Sequence, residues 1–301
     1  GVDAFVFHTQ LRSDEDPEVI DDEALKAMFF ETLGARCELS LLSRSSWLAG
    51  HVLVAERLRE GRVFLAGDAA HLFTPTGGLG YNTGVEDAVN LGWKLAAVLR
   101  EGAPASLLES YEAERRPAAI RNTGYARGFA DSIGLFVPPE GLEDETSQGE
   151  ALRRQAGERL LAHAKAEFNI PGITFGTRYD GSPIVARDDE APPPDRADVY
   201  QPSSIPGGRA PHAWLPDGGS LFDRFGFGFT MLELAPDEPA GDAPLAQGMA
   251  GLAHLRIAPA QARAAGLRDL YPRRFTLIRP DQVVAWRGER LPGDLRRLMF
   301  G

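Results

Sequence analysis

The residues whose types and spacing could do chemistry lie in one stretch, 61–95: GRVFLAGDAAHLFTPTGGLGYNTGVEDAVNLGWKL. A short apolar run, Val63–Ala66, reads as a buried strand of a parallel sheet. It ends in Gly67-Asp68, and ligands of open parallel sheets gather at the C-terminal ends of strands. A carboxylate there, Asp68, can accept hydrogen bonds from sugar hydroxyls. The glycines Gly77, Gly78 and Gly80 come next, then a helix expected to open at a Thr83/Glu86 capping box. Unpaired N–H groups and the positive dipole end at such a helix start suit a group that carries or develops negative charge. The same pattern also fits a structural strand–loop–helix connection with glycines for turns. Gly78-x-Gly80 with Gly84 sits too far past the strand to be a tight phosphate turn.

The elements that must position this loop follow from periodicity. Apolar Val85, Val89, Leu95, Val98 and Leu99 predict a helix after the loop, ended by Gly102-Ala103-Pro104. A second helix is expected over Leu107–Arg116, stopped or kinked at Pro117. Residues 1–11 and Leu39–Trp47 read as strands, with a helix between them capped by Asp21 or Asp22 and stopped by Gly34. Residues 134–150 read as an acidic linker, Glu150–Phe168 as a helix, and 180–211 as extended chain over the surface. Beyond Pro211 the order is strand (Phe229–Leu234), strand (Leu252–Ile257), a hairpin (Arg274–Ile278 and Val283–Trp286) around Arg279-Pro280-Asp281, and a terminal helix, Gly293–Phe300. That is a small α/β unit.

Other chemistries lack their residues. The six histidines are dispersed without metal-ligand spacing, and no G-x-S-x-G, H-E-x-x-H or P-loop motif is present. The single cysteine, Cys37, excludes a disulfide within the chain and points to a reducing, cytoplasmic setting. A net charge of −11 argues against nucleic acid as a partner. No apolar run reaches the ~20 residues of a membrane span. The chain opens Gly1-Val2-Asp3 without a methionine and reads as starting inside a fold.

Three segments resemble the second flavin-binding motif of the single-component aromatic hydroxylases, the family of p-hydroxybenzoate and phenol hydroxylases. They are Gly67-Asp68-Ala69-Ala70-His71, Pro75-Thr76-Gly77-Gly78-Leu79-Gly80-Tyr81-Asn82, and Asp87-Ala88-Val89-Asn90-Leu91-Gly92-Trp93-Lys94-Leu95. Tyr111-Glu112-Ala113-Glu114-Arg115-Arg116-Pro117 fits the same family. Pro206-Gly207-Gly208-Arg209-Ala210-Pro211-His212-Ala213-Trp214-Leu215, with Ser220-Leu221-Phe222-Asp223, is similar to the thioredoxin-like C-terminal domain of phenol and polyketide hydroxylases. The resemblance implies an α/β fold of three parts. Residues 1–60 would be the remnant of a substrate-binding sheet, 61–178 the C-terminal part of a p-hydroxybenzoate hydroxylase-like FAD-binding domain with linking helices, and 179–301 a thioredoxin-like domain without a CxxC.

It also implies roles. Asp68 would hold the ribityl chain of FAD. Gly77, Gly78 and the backbone of Gly80, Tyr81 and Asn82 would line the flavin and stabilise negative charge on its pyrimidine edge, and Pro75 would face the oxygen-reacting side of the ring. His71 and the Tyr111–Pro117 signature read as packing. NAD(P)H would be the reductant, O2 the oxidant and a phenolic or polyketide aromatic molecule the substrate. The family's G-x-G-x-x-G and a middle motif touching FAD and NAD(P)H do not precede Gly61. Completion by an N-terminal half, or a homodimer, is therefore expected. The alternative reading is a non-catalytic fragment, an interaction or dimerisation module built on the thioredoxin-like unit.

Overall fold

The computed structural model describes residues 4–9, 11, 15–46, 52–134, 136–237 and 251–301. They fall into two compact units, 1–49 and 50–301.

In the first unit, α1 (Asp22–Leu33) begins where the Asp21 carboxylate accepts the Ala24 N–H at 2.8 Å, and it ends at Gly34 with φ 71°. Both caps are as expected. The two strands are not: residues 4–9 and 39–46 run without a ladder. Alternation specifies which face a side chain takes, but a strand also needs a partner for its N–H and C=O groups. Phe5 and Phe7 instead pack on one ring of α1, Phe29, at 5.2 and 5.4 Å between centroids. The ends of the expected strands, at Gly1–Asp3, Gln10 and Trp47, lie outside the described residues.

The second unit opens with two short antiparallel pairs. β1 (Leu53–Val54) pairs with β4 (His71–Leu72), and β2 (Arg59–Glu60) with β3 (Val63–Phe64). The buried parallel strand expected over Val63–Ala66 is thus one arm of a hairpin, with Val63 66% exposed. Gly61, at φ 57°, turns the chain back on itself. Glu112 then accepts the N–H groups of Leu58 (2.7 Å) and Arg59 (3.2 Å), and the Tyr111 hydroxyl donates to the Leu65 carbonyl. Those bonds fasten the hairpin to a helix rather than to a sheet.

The helices are α2 (Leu79–Arg100), α3 (Glu109–Gly134), α4 (Ser147–Phe168) and the short α5 (Pro171–Phe175). Three features of α2 and α3 depart from expectation. First, α2 is capped at Gly78, five residues before Thr83, because Gly77 and Gly78 both take positive φ and turn the chain into the helix. Thr83 serves inside the helix: its hydroxyl accepts from Asn122 at 3.0 Å. Second, the buried face of α2 is Thr83, Asp87, Asn90, Lys94 and Ala97, while Val85, Val89 and Leu99 are exposed. Third, α3 runs through Pro117. The ring removes one N–H from the ladder, but Arg115, Ala118 and Ala119 on either side are buried and hold the helix together.

The C-terminal part is a four-stranded sheet of β5 (Phe229–Leu234), β6 (Leu252–Ile257), β7 (Phe275–Ile278) and β8 (Val284–Gly288). Its order is β6-β5-β7-β8, with β5 and β6 parallel and the other pairs antiparallel. Helices α6 (Pro259–Ala264) and α7 (Leu267–Leu270) lead from β6 to β7, and α8 (Leu295–Phe300) closes the chain. Alternation divides the sheet between two cores. Phe229, Met231, Phe275 and Leu277 meet Met299 and Phe300 of α8 and also Ala97 of α2. Leu232, Leu234, Ile278 and Val284 pack with Leu221, Leu267 and Tyr271. The first core joins the sheet to the helix that carries the glycine loop.

Candidate cofactor site

The glycine loop is anchored at both ends. Gly67, at φ 58°, starts a 3-10 turn over Gly67–Ala69 that presents the exposed Asp68. This turn lies directly on α2: a Cβ at Gly84 would sit 3.1 Å from the Gly67 Cα. The Asp87 carboxylate, one turn further along α2, accepts the Gly67 N–H at 3.0 Å. Asp68 is thereby held beside the first turns of α2.

The other end of the loop is fixed to α3 and α4. The Thr76 hydroxyl donates to the Ala126 carbonyl at 2.7 Å. The Gly77 N–H donates to Glu167 of α4 at 2.8 Å, and Glu167 is paired with His163 at 2.9 Å. Ser132 completes the relay, 3.0 Å from the other His163 nitrogen. Gly77 could not be larger, since a Cβ would meet the Phe129 ring at 3.0 Å. From this anchor the chain passes into α2, whose N-cap, Gly78, has no side chain to satisfy the first-turn N–H groups. In a helix opening at Leu79, the N–H groups of Leu79, Gly80 and Tyr81 have no helix carbonyl four residues back. The Asn82 amide donates to the Gly78 carbonyl at 2.7 Å, closing the turn from the side. Exposed donors at a positive helix end, beside an exposed carboxylate, fit a ligand with hydroxyls at one point and negative charge at another.

Behind the loop lies a buried polar network. His71 Nε2 meets Asp87 at 2.7 Å, and Arg115 donates to Asp87 (2.7 Å), the Tyr179 hydroxyl (3.0 Å) and the Thr83 carbonyl (3.1 Å). Burial by itself would raise the Asp87 carboxyl. The His71 hydrogen bond and the Arg115 charge override it and hold the group below its usual value. Burial pushes the Tyr179 phenol up to about 12, against the neighbouring Arg115.

A second centre is Glu114. It accepts from Arg279 (2.6 and 2.8 Å), Lys94 (2.7 Å), Asn90 (2.7 Å) and Ser182 (2.6 Å). Desolvation would raise this carboxyl, but Arg279 and Lys94 hold it well below the carboxylate range. Lys94 is pushed down to about 8 by burial, with Glu114 opposing. Asp281 completes the set by accepting from Arg279 and from the Trp93 indole at 3.1 Å. The polar face of α2 is buried because it meets these partners.

Each expected site residue therefore has a place. Asp68, Pro75, Gly78, Tyr81 and Asn82 are exposed, and Gly77 and Gly80 are half-buried in the same loop and helix start. His71 is buried, and its Nδ1 has no partner among the described residues. Sequence reasoning gave no role to Gly84, Asp87 or Glu167. The first two lay inside the quoted motif. Glu167 is 90 positions from Gly77, and nothing in its local sequence marks it.

The arrangement is an exposed carboxylate in a 3-10 turn beside a helix N-terminus without a side-chain cap. Residues 2–125 match the family described as FAD binding domain, and residues 203–299 the one described as Aromatic-ring hydroxylase, C-terminal. A phenol 2-monooxygenase from a Pseudomonas species is 30% identical over 95% of this chain and 52% of its own length. A putative polyketide hydroxylase of Streptomyces halstedii is 36% identical over 84% of this chain and 45% of its own. Among solved structures, the rebeccamycin biosynthetic enzyme RebC with reduced flavin is 39% identical at TM-score 0.69, covering 81% of this chain and 45% of that one. The flavin-dependent monooxygenase PieE in complex with FAD and substrate is 28% identical at TM-score 0.72, covering 93% and 54%. The chain carries the FAD binding and aromatic-ring hydroxylase C-terminal domains, and its homologues are FAD-dependent phenol and polyketide monooxygenases. It spans about half the length of the curated relatives it matches.

Proposed function

We propose that this chain supplies the second flavin-contacting motif of a monooxygenase that hydroxylates an aromatic molecule, a phenol or a polyketide. The observation that carries the reading is the pairing of exposed Asp68 with the uncapped start of α2, held together by Gly84 and Asp87. FAD, when bound, supplies the redox chemistry by which O2 and NAD(P)H convert an aromatic C–H to C–OH, with water and NAD(P)+ as the other products. The chain's own residues bind and orient. Asp68 accepts hydrogen bonds from the ribityl hydroxyls. The free N–H groups of Gly80 and Tyr81, with the backbone of Asn82 beside them, would face the pyrimidine edge and stabilise negative charge there. Pro75 lines the oxygen-reacting side without offering a donor.

The C-terminal sheet supports a thioredoxin-like reading: two parallel strands in sequence, then an antiparallel pair and a final helix, in the order β6-β5-β7-β8. Its residues include no cysteine, so dithiol chemistry is not its task. Packing or dimerisation is the role we assign it. Completion of the flavin fold by an N-terminal half, and a cytoplasmic setting, belong to the same proposal. No helix among the described residues is long and apolar enough to cross a membrane.

The test is FAD binding by the chain, read from retained flavin absorbance after desalting and from calorimetry, beside Asp68→Ala. Loss of charge-assisted hydrogen bonds should weaken binding by a factor of about ten or more. Equal affinity of the two proteins would remove Asp68 from the site, and no binding by the wild-type chain would confine the motif to a larger assembly.

A further inference from the structure

A cavity of about 40 Å³ lies between α5 and the extended chain that follows it, lined among others by Phe175, Thr177, Arg178, Tyr200 and Arg209. It is separate from the glycine loop. One water needs roughly 10–15 Å³ on this measure, so the space suits about three waters or one small oxyanion.

The charges of its wall cancel with one exception. Arg178 is forked onto Asp180, Arg196 onto Asp198, and Asp195 is held by Arg121. Arg209 has no carboxylate or carbonyl partner among the described residues, in a chain with 43 acidic and 32 basic side chains. Its guanidinium lies over the rings of Phe175 at 5.2 Å and Phe222 at 5.0 Å. Those cation–π contacts supply no hydrogen-bond acceptor for its N–H groups. In the same wall, the Thr177 hydroxyl is buried and has no hydrogen-bond partner among the described residues. A half-buried cation with a free planar fork, beside an unsatisfied hydroxyl, is an incomplete set of interactions.

We propose that this cavity binds a small carboxylate, of the size of acetate, through the Arg209 fork and the Thr177 hydroxyl. The planar two-oxygen group matches the guanidinium edge, and a space of about 40 Å³ accommodates a body of that size. The site stands independently of the flavin reading.

The experiment titrates the full chain with acetate, and separately with inorganic phosphate, following by NMR the backbone amide resonances of Gly176 and Gly208, which also line the cavity and remain in both variants. The expected result is a saturable shift with acetate, weakened roughly fivefold in Thr177→Val, the loss of about one net hydrogen bond, and abolished in Arg209→Gln. Where Arg209→Gln does not fold, Thr177→Val decides. A shift that never saturates, an affinity unchanged in Thr177→Val, or tighter binding of phosphate than of acetate would each overturn the proposal.

Discussion

Arg279, at the turn of the C-terminal hairpin, and Glu114, in the second turn of α3, form a two-bond fork of 2.6 and 2.8 Å in which neither side chain touches solvent. The pair connects the sheet to the helix layer behind the glycine loop. Removing one partner strands the other as a buried charge, at a cost of about 3–5 kcal/mol. Glu114→Gln and Arg279→Met should each lower the urea midpoint accordingly. The double variant should recover part of the loss, because neither member of the fork is then left charged opposite a neutral partner, although Lys94 still loses Glu114 and Asp281 still loses Arg279. A double variant as unstable as the sum of the two singles would show that the fork itself contributes little.

The network also sets a pH dependence of known sign. The Glu114 and Asp87 carboxyls lie below their usual values in the folded chain. Their contribution is complete above the ordinary carboxylate pKa of about 4.3 and is lost as pH falls toward the folded values. Lys94 runs the other way. With its folded pKa near 8 against 10.5, the unfolded chain binds more protons between those values, so this group adds stability as pH rises through that window. Urea midpoints should fall on the acid side and carry an alkaline increment that Lys94→Met removes. An alkaline limb identical in Lys94→Met would contradict the assignment.

The sequence made some of this legible and hid the rest for identifiable reasons. The strand at Phe229–Leu234 was readable as a mostly apolar run, and Leu252–Ile257 by alternation, with Ala253, Leu255 and Ile257 on one face and His254 and Arg256 on the other. The hairpin about Arg279-Pro280-Asp281 announced itself by its turn residues. For α2 the opposite held. Val85, Val89 and Leu99 keep helical spacing, so periodicity made them the core face, yet the buried face is Asp87, Asn90 and Lys94. Hydrophobic patterning cannot register a face buried against fixed charges, because the partners lie elsewhere in the sequence, His71 before α2 and Glu114, Arg115 and Asp281 on α3 or beyond it. The flavin loop was legible as a motif, while Glu167, which holds it, became visible only once α4 was packed.

The loop anchor gives a graded comparison. At Gly77 a methyl would meet Phe129 at 3.0 Å on a backbone with φ 68°, whereas at Gly78 the φ is 63° and the space is open. Gly78→Ala should cost about 1 kcal/mol from the left-handed conformation alone. Gly77→Ala should cost about 1–3 kcal/mol, since strain and contact combine. Glu167→Ala leaves the Gly77 N–H without its acceptor and should speed hydrogen exchange at that amide. Thermal unfolding and amide exchange read all three. Equal losses for the two glycine variants would mean the Phe129 contact relaxes freely.

The outer face of α2 offers the last comparison. Val85 and Val89 are about half exposed, and Tyr81, one turn earlier, is 82% exposed. Apolar groups that remain in contact with water contribute little to folding. Val85→Ser with Val89→Ser should therefore change the stability of this chain by no more than about 0.5 kcal/mol. The same residues follow directly on the helix start that we assign to the flavin edge, and a flavin fold completed over them would remove them from water. Under that reading the double variant should bind FAD more weakly although it folds as well as the wild type, a separation that calorimetry and urea unfolding resolve on one preparation. A large loss of stability would show that this face is already buried in solution by another copy of the chain, which sedimentation would then detect. Unchanged stability with unchanged FAD affinity would show that the cofactor site is complete without any cover on this face of α2.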